Sequence, residues 1–253
     1  GFVPRYVDLT GDGRVEALLP VTCLWSADLT SATGSVVVVG ADASGPLQLG
    51  GPIPGSDPVV VGQVVATGRP LPVAGEAPCC AATVRYEALA FSDGSWIPAS
   101  GGAPATEADP IVPQGLGSIA IDTPYGELAI ATGGPVDVVG AAATQDACTT
   151  VAFASGGAGV TGYGGDGVLR SLVITVPGAR TVEGLGVGST EAEVTTAITT
   201  GLESYDLGDG TRELVHVPAD DPELITSFEL VAGTVTAVVV GHQGWAEEGG
   251  GCA

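Results

Sequence analysis

Side-chain oxygens suited to a hard cation cluster near the amino terminus, in Asp8-Leu9-Thr10-Gly11-Asp12-Gly13-Arg14-Val15-Glu16. Asp8, Thr10 and Asp12 stand at alternate positions, Gly13 lets the chain turn, Arg14 offers a main-chain carbonyl, and Glu16 adds a carboxylate two residues further on. Oxygen donors at this spacing can wrap a cation such as Ca2+, which prefers about six to eight oxygen ligands. The candidate metal set is therefore Asp8, Thr10, Asp12, Arg14 and Glu16, with Ca2+ as the candidate cofactor. Leu19 stands where a helix-flanked calcium loop carries its bidentate Glu. The competing reading is a turn between strands, stabilised by Asx hydrogen bonds and tipped by Asp12-Gly13.

Thiol chemistry is the second possibility. Cys23, Cys79, Cys80, Cys148 and Cys252 lack the paired spacings of zinc sites, and only His216 and His242 could join them as nitrogen ligands. Disulfides are the expected use, which implies an oxidising compartment. One of Cys79 and Cys80 is expected to reach Cys23, and Cys148 to pair with Cys252. A strained bridge between the adjacent Cys79 and Cys80 is the alternative.

Nucleophilic catalysis has no visible constellation. There is no Gly-x-Ser-x-Gly elbow, His216 lies in the strand-like Glu213-Leu214-Val215-His216-Val217, and His242 follows another strand. A carboxylate pair for glycoside hydrolysis requires a separation that only the fold decides, and acids are scattered through the whole chain. Gly184-Leu185-Gly186-Val187-Gly188 approaches a helix as phosphate loops do, but it lacks the Lys of a P-loop and the third glycine of a dinucleotide fingerprint.

Composition narrows the partners. The net charge of −22 arises from seven Arg and no Lys against 29 Asp plus Glu, so the acidity is a depletion of cations. With no basic patch to release counterions from a phosphate backbone, nucleic acid is excluded as a partner. No apolar run reaches the roughly 18 residues of a membrane-spanning helix. The absence of Lys, Asn and Met beside abundant Gly, Ala, Val and Pro points to a high-GC genome, such as that of an actinomycete.

The elements that must position these residues read as short strands with turn punctuation. In the first half these are Val15–Leu24, Ser35–Gly40, Val59–Thr67, and Thr83–Phe91 with Trp96-Ile97 around Ser92-Asp93-Gly94. Residues 101–117, crowded with Ala, Pro and Gly, suggest a linker between domains 1–100 and 118–253. Beyond it, strands are expected at Ser118–Ile121, Glu127–Ala131, Val136–Val139, Thr149–Ala154 and Leu169–Val176. A helix is expected at about 190–200, where Thr190 and Glu193 form a capping box and Gly201 supplies the stop. Glu213–Val217, Ile225–Val231 and Thr234–Val240 complete a terminal meander that turns at Ala232-Gly233. The expected class is mainly β with some α+β, an N-terminal antiparallel β domain followed by a β-rich domain with one helix.

Three resemblances accompany these motifs. The Asp8–Glu16 loop resembles the calcium loops of integrin-like FG-GAP repeats, which join strands, although Thr10 replaces an acid and only one copy is present. The run Gly184-Leu185-x-x-Gly188-x-Thr190-x-x-Glu193-Val194 resembles the helix start of BamE-like and β-lactamase-inhibitor-protein-like envelope modules, which implies a protein partner. The first hundred residues, through Tyr6-Val7-Asp8 to Glu16-Ala17, Pro20-Val21-Thr22-Cys23 and Cys79-Cys80, resemble the mycobacterial LppP/LprE type of exported lipoprotein. The lipidated Cys of that type is not among these residues. The function expected is therefore a secreted or cell-envelope protein without enzymatic activity, acting in binding or assembly with an envelope protein or with itself. The rivals are a secreted hydrolase with a carboxylate pair and a calcium-dependent adhesion module.

Overall fold

The structure, a computed structural model, describes residues 4–24, 32–42, 45–50, 53–54, 56–71, 82–99, 102, 106, 108–140, 148–154 and 159–246. It is mainly β and forms two compact units, Gly1–Gly102 with Tyr125–Thr144 and Ala103–Pro124 with Gln145–Ala253.

The first unit holds two antiparallel sheets. One runs β1 (Arg5–Val7), β2 (Glu16–Leu24), β3 (Ala32–Asp42), β4 (Gly45–Gln48), with β5 (Ile53–Pro54) also on β3. The other runs β6 (Ser56–Val61), β7 (Val64–Pro70), β8 (Thr83–Ser92) and β13 (Val136–Val139), with β9 (Ser95–Pro98) on β8. Val36 and Val38 of β3 alternate inward, as a half-buried strand requires, and join Leu9, Leu18, Ile53 and Val65 in one core with Trp96 against it. Asp137 lies opposite Arg85 in the β8–β13 register, and the two form a bidentate ion pair at 2.7 and 2.8 Å. Hydrogen bonding to Asp137, then its charge, raises the Arg85 pKa.

Glu127–Ala131, expected as a strand, belongs instead to helix α1 (Tyr125–Thr132). Its buried residues Tyr125, Leu128, Ala129 and Thr132 recur at i, i+3, i+4 and i+7, a helical period that the short apolar run obscures. Gly126 lets the helix approach Val59 closely, Tyr125 meets Tyr86 edge-on at 5.9 Å, and the Thr132 hydroxyl donates to the Leu128 carbonyl. Gly133, at φ +66°, ends the helix.

The second unit begins inside the segment expected as a linker. Residues 110–120 carry β10 (Pro110–Val112), β11 (Gly115–Leu116) and β12 (Ile119–Ala120), and β10 pairs in parallel with β17 (Arg180–Thr181). The division into 1–100, 101–117 and 118–253 thus differs from the observed units at both edges.

The main sheet of this unit orders β14 (Thr149–Phe153), β15 (Val160–Gly165), β16 (Val168–Ile174), β21 (Thr234–His242), β20 (Leu224–Val231), β19 (Thr211–His216) and β18 (Leu202–Gly208), with antiparallel neighbours. Register sets Ile174, Val238, Phe228 and Leu214 in one transverse row, each at most 2% exposed. The adjacent row, through Val239 and Val215, faces the other way and packs with Ile225 and Ala246. Ala246 ends α3 (Gln243–Ala246), which contacts β16, β20 and β21. With both faces covered, the centre of β21 reads as an unbroken apolar run rather than an alternation.

The expected helix is α2 (Glu191–Ala197), started by the capping box: Glu193 N–H donates to Thr190 Oγ1 at 3.3 Å, and Thr190 N–H donates to Glu193 Oε2 at 2.7 Å. The bond from the Thr190 N–H, and then the one the Thr190 hydroxyl donates to Glu193 Oε2 at 3.0 Å, lower the Glu193 pKa. The glycine-rich approach is a strap: Gly188 N–H donates to the Val235 carbonyl, and Val235 N–H to that of Ser189. These bonds hold the segment against β21. Thr190→Ala is expected to cost about 1 kcal/mol, read as a lowered urea midpoint, while Thr190→Ser retains most of the stability.

Candidate metal centre

The loop from β1 to β2 is built by its own carboxylates. Asp8 Oδ1 accepts the Gly11 N–H at 2.6 Å, and Oδ2 accepts that of Gly13 at 2.9 Å. Asp12 Oδ1 accepts the Arg14 N–H at 2.9 Å, an Asx turn. Glu16, the first residue of β2 and only 3% exposed, accepts the Leu9 N–H at 2.6 Å and the Thr10 N–H at 3.3 Å. Gly11 and Gly13, at φ +75° and +83°, turn the chain where other residues would be strained. Leu9, 2% exposed, anchors the loop in the core of the first unit.

Asp8, Asp12 and Glu16 thereby come together, each with a carboxylate oxygen within 4.8 Å of the others. This triad can hold a metal ion. Two carboxylate charges at about 4 Å repel by about 1 kcal/mol in water and by about 4 kcal/mol at the effective dielectric of a protein surface. The backbone N–H groups offset part of that repulsion, and a divalent cation would remove it. Of the other expected ligands, Thr10 contributes its N–H to Glu16, and Arg14 sends its guanidinium to the Ala41 carbonyl at 3.3 Å. The Gln63 amide, on the turn between β6 and β7, packs against Gly11.

Cys148 is disulfide-bonded. Cys79, Cys80, Cys252 and the side chain of Cys23 lie outside the described residues, so the expected pairings do too.

Two clusters in the second unit have no signal along the chain. His242 Nε2 lies 2.9 Å from both oxygens of Asp122, which also pairs with Arg170. The residues are 120 positions apart and meet because β16 pairs with β21 while Leu169 bonds across to Asp122 and Thr123. Ser171 has a fully buried Oγ without a hydrogen-bond partner, so it forms no nucleophile–base pair with His242. In the other cluster, Glu213 and Glu229 stand directly opposite each other on β19 and β20. Glu213 is 2% exposed and accepts the Ser227 hydroxyl at 2.6 Å. Burial, and then the charge of Glu213, push the Glu229 carboxyl above its ordinary value. Since side chains two apart along a strand share a face, only the register reveals this pair.

No protein-family model matches this sequence, and no curated protein or solved structure matches it.

The Glu229 shift gives a pH dependence of definite sign. A carboxyl with a raised folded pKa binds its proton more tightly in the folded state. Its contribution is therefore most favourable below the unfolded value of 4.5 and is lost as pH rises through the folded value. Glu229→Gln should raise the melting temperature at neutral pH, and the gain should vanish on acidification below the ordinary carboxyl range.

Proposed function

We propose that this protein is a calcium-organised binding module of the cell envelope or extracellular space, without enzymatic activity of its own. The observation that carries the reading is the gathering of Asp8, Asp12 and Glu16 on one strand-to-strand loop. The donors are all oxygens, with no His or Cys in the group, and such a set suits a hard cation rather than zinc. A bound ion would fix the turn that sets β1 against β2, where Val7 pairs with Glu16.

Export is supported by the cysteine set and by the disulfide at Cys148, since such bridges persist outside the reducing cytosol. No helix among the described residues is long and apolar enough to cross a membrane.

Thermal unfolding in excess Ca2+ and in chelator tests the reading. Calcium at a hundred times its dissociation constant should add about 2.7 kcal/mol, seen as a higher melting temperature, and Asp12→Ala should abolish the difference. Identical melting curves with and without Ca2+ would overturn the calcium assignment.

A further inference from the structure

Strand β18 ends the main sheet of the second unit, and among the described residues it pairs only with β19. Every residue from Glu203 to Gly208 is exposed, Tyr205 and Leu207 included, at 43% and 47%. A free edge of this kind presents a row of backbone donors and acceptors ready to accept another strand. The register with β19 is regular from Leu202 to Asp206 and then shifts at a bulge before Gly208, which limits the available edge to its first five residues.

The charged residues of β18 itself, Glu203 and Asp206, are both acidic, while Arg212 of β19 stands opposite Asp206. Glu203 and Asp206 lie on opposite faces of the strand, Glu203 accepting the Tyr205 hydroxyl and Asp206 the Gly208 N–H at 3.0 Å, and at the strand's end Glu191, Asp206 and Asp209 line a polar recess of about 380 Å³ beside the turn to β19. The cation in that recess, Arg212, is engaged by Glu191 at 2.5 Å. A second copy of this chain, bringing the same edge and a net charge of −22, would set acid near acid. A strand bearing Lys or Arg would instead meet opposite charge at Glu203 on one face and at Asp206 on the other, and a long cationic side chain could reach the recess.

We propose that the edge of β18 is a docking surface for a cationic extended segment of a partner protein, added to the sheet as a further strand. This rests on the binding reading above and names the surface and the chemistry of its partner. Main-chain hydrogen bonds to Leu202–Asp206 supply affinity, and the carboxylates select the partner and exclude self-pairing.

The probe is a short lysine–valine peptide with adjacent lysines, so that each face of the added strand carries one, with a glutamate–valine peptide and an N-methylated lysine–valine peptide as controls, added to the full chain. The lysine peptide should bind, slow hydrogen exchange at residues 202–206, and weaken as salt is raised. Neither control should bind comparably. Glu203→Gln with Asp206→Asn, which preserves the hydrogen-bond acceptors, should lower affinity roughly three- to tenfold. Failure to bind, equal binding of the N-methylated peptide, or protection confined to other strands overturns the proposal. A partner from envelope extracts that protects a different surface overturns this edge and leaves the binding reading standing, whereas a chain that engages no partner overturns both.

Discussion

Four hairpins close on two residues that both take positive φ: Asp93-Gly94, Asp166-Gly167, Asp209-Gly210 and Ala232-Gly233. Such turns match the right-handed twist of the strands they join and tie each hairpin's pairing to its turn. Because side chains alternate with a period of two, a slip of one residue would turn an entire apolar set to the opposite face. In the row from Ile174 through Val238 and Phe228 to Leu214, the Val238–Phe228 step lies in the hairpin closed at Ala232-Gly233, beyond a bulge at Glu229 and Leu230, whereas the Ile174–Val238 and Phe228–Leu214 steps pair strands that no two-residue turn joins. Pairing between strands that are not joined by tight turns puts Glu213 opposite Glu229, brings Ser227 to Glu213, and carries His242 to the level of Arg170 and Asp122.

The second constraint is the scarcity of positive charge. Arg85 takes Asp137, Arg170 takes Asp122, Arg212 takes Glu191 and Arg69 lies 3.8 Å from Glu87, while Arg14 and Arg180 turn to backbone carbonyls. Partly exposed pairs of this kind contribute about 0–1 kcal/mol each, so they orient elements more than they stabilise them. The remaining carboxylates are satisfied by backbone N–H groups where they can be, as Asp8 and Glu16 are at the loop and Glu193 is at the cap. Where a carboxyl is instead buried beside another, its pKa rises, as that of Glu229 does by burial and then by the charge of Glu213.

What could be read along the chain follows from how local each device is. The capping box at Thr190 and Glu193, the Asp93-Gly94 and Ala232-Gly233 turns, and the Asp8–Glu16 loop each operate within about ten residues, and their residue types state their geometry. Helix α1 was hidden because Glu127–Ala131 is too short and too uniformly apolar for its period to show; only the addition of Tyr125 and Thr132 completes the helical face. The Ala-, Pro- and Gly-rich run before residue 118 looked like a linker because strands of two or three residues carry no periodicity of their own. Asp122 with His242, and Glu213 with Glu229, were out of reach because they depend on strand pairing, which composition does not encode.

The sheet edges connect these constraints. An edge strand is ordinarily guarded by Lys, by Pro, by a bulge or by brevity. With no Lys in the chain, β1 is guarded by being three residues long, and β18 by acids and a bulge. Acid guards differ from lysine guards in what they admit: they repel copies of the same acidic chain and attract cations. At the β1–β2 loop, where carboxylates converge on a point, the cation that fits is a metal ion. Along β18, where they are spaced over a strand and a recess, the cation that fits is a row of basic side chains. One compositional fact, an excess of carboxylates over arginines, thus gives two kinds of candidate site according to whether the backbone folds the acids into a loop or sets them along an edge.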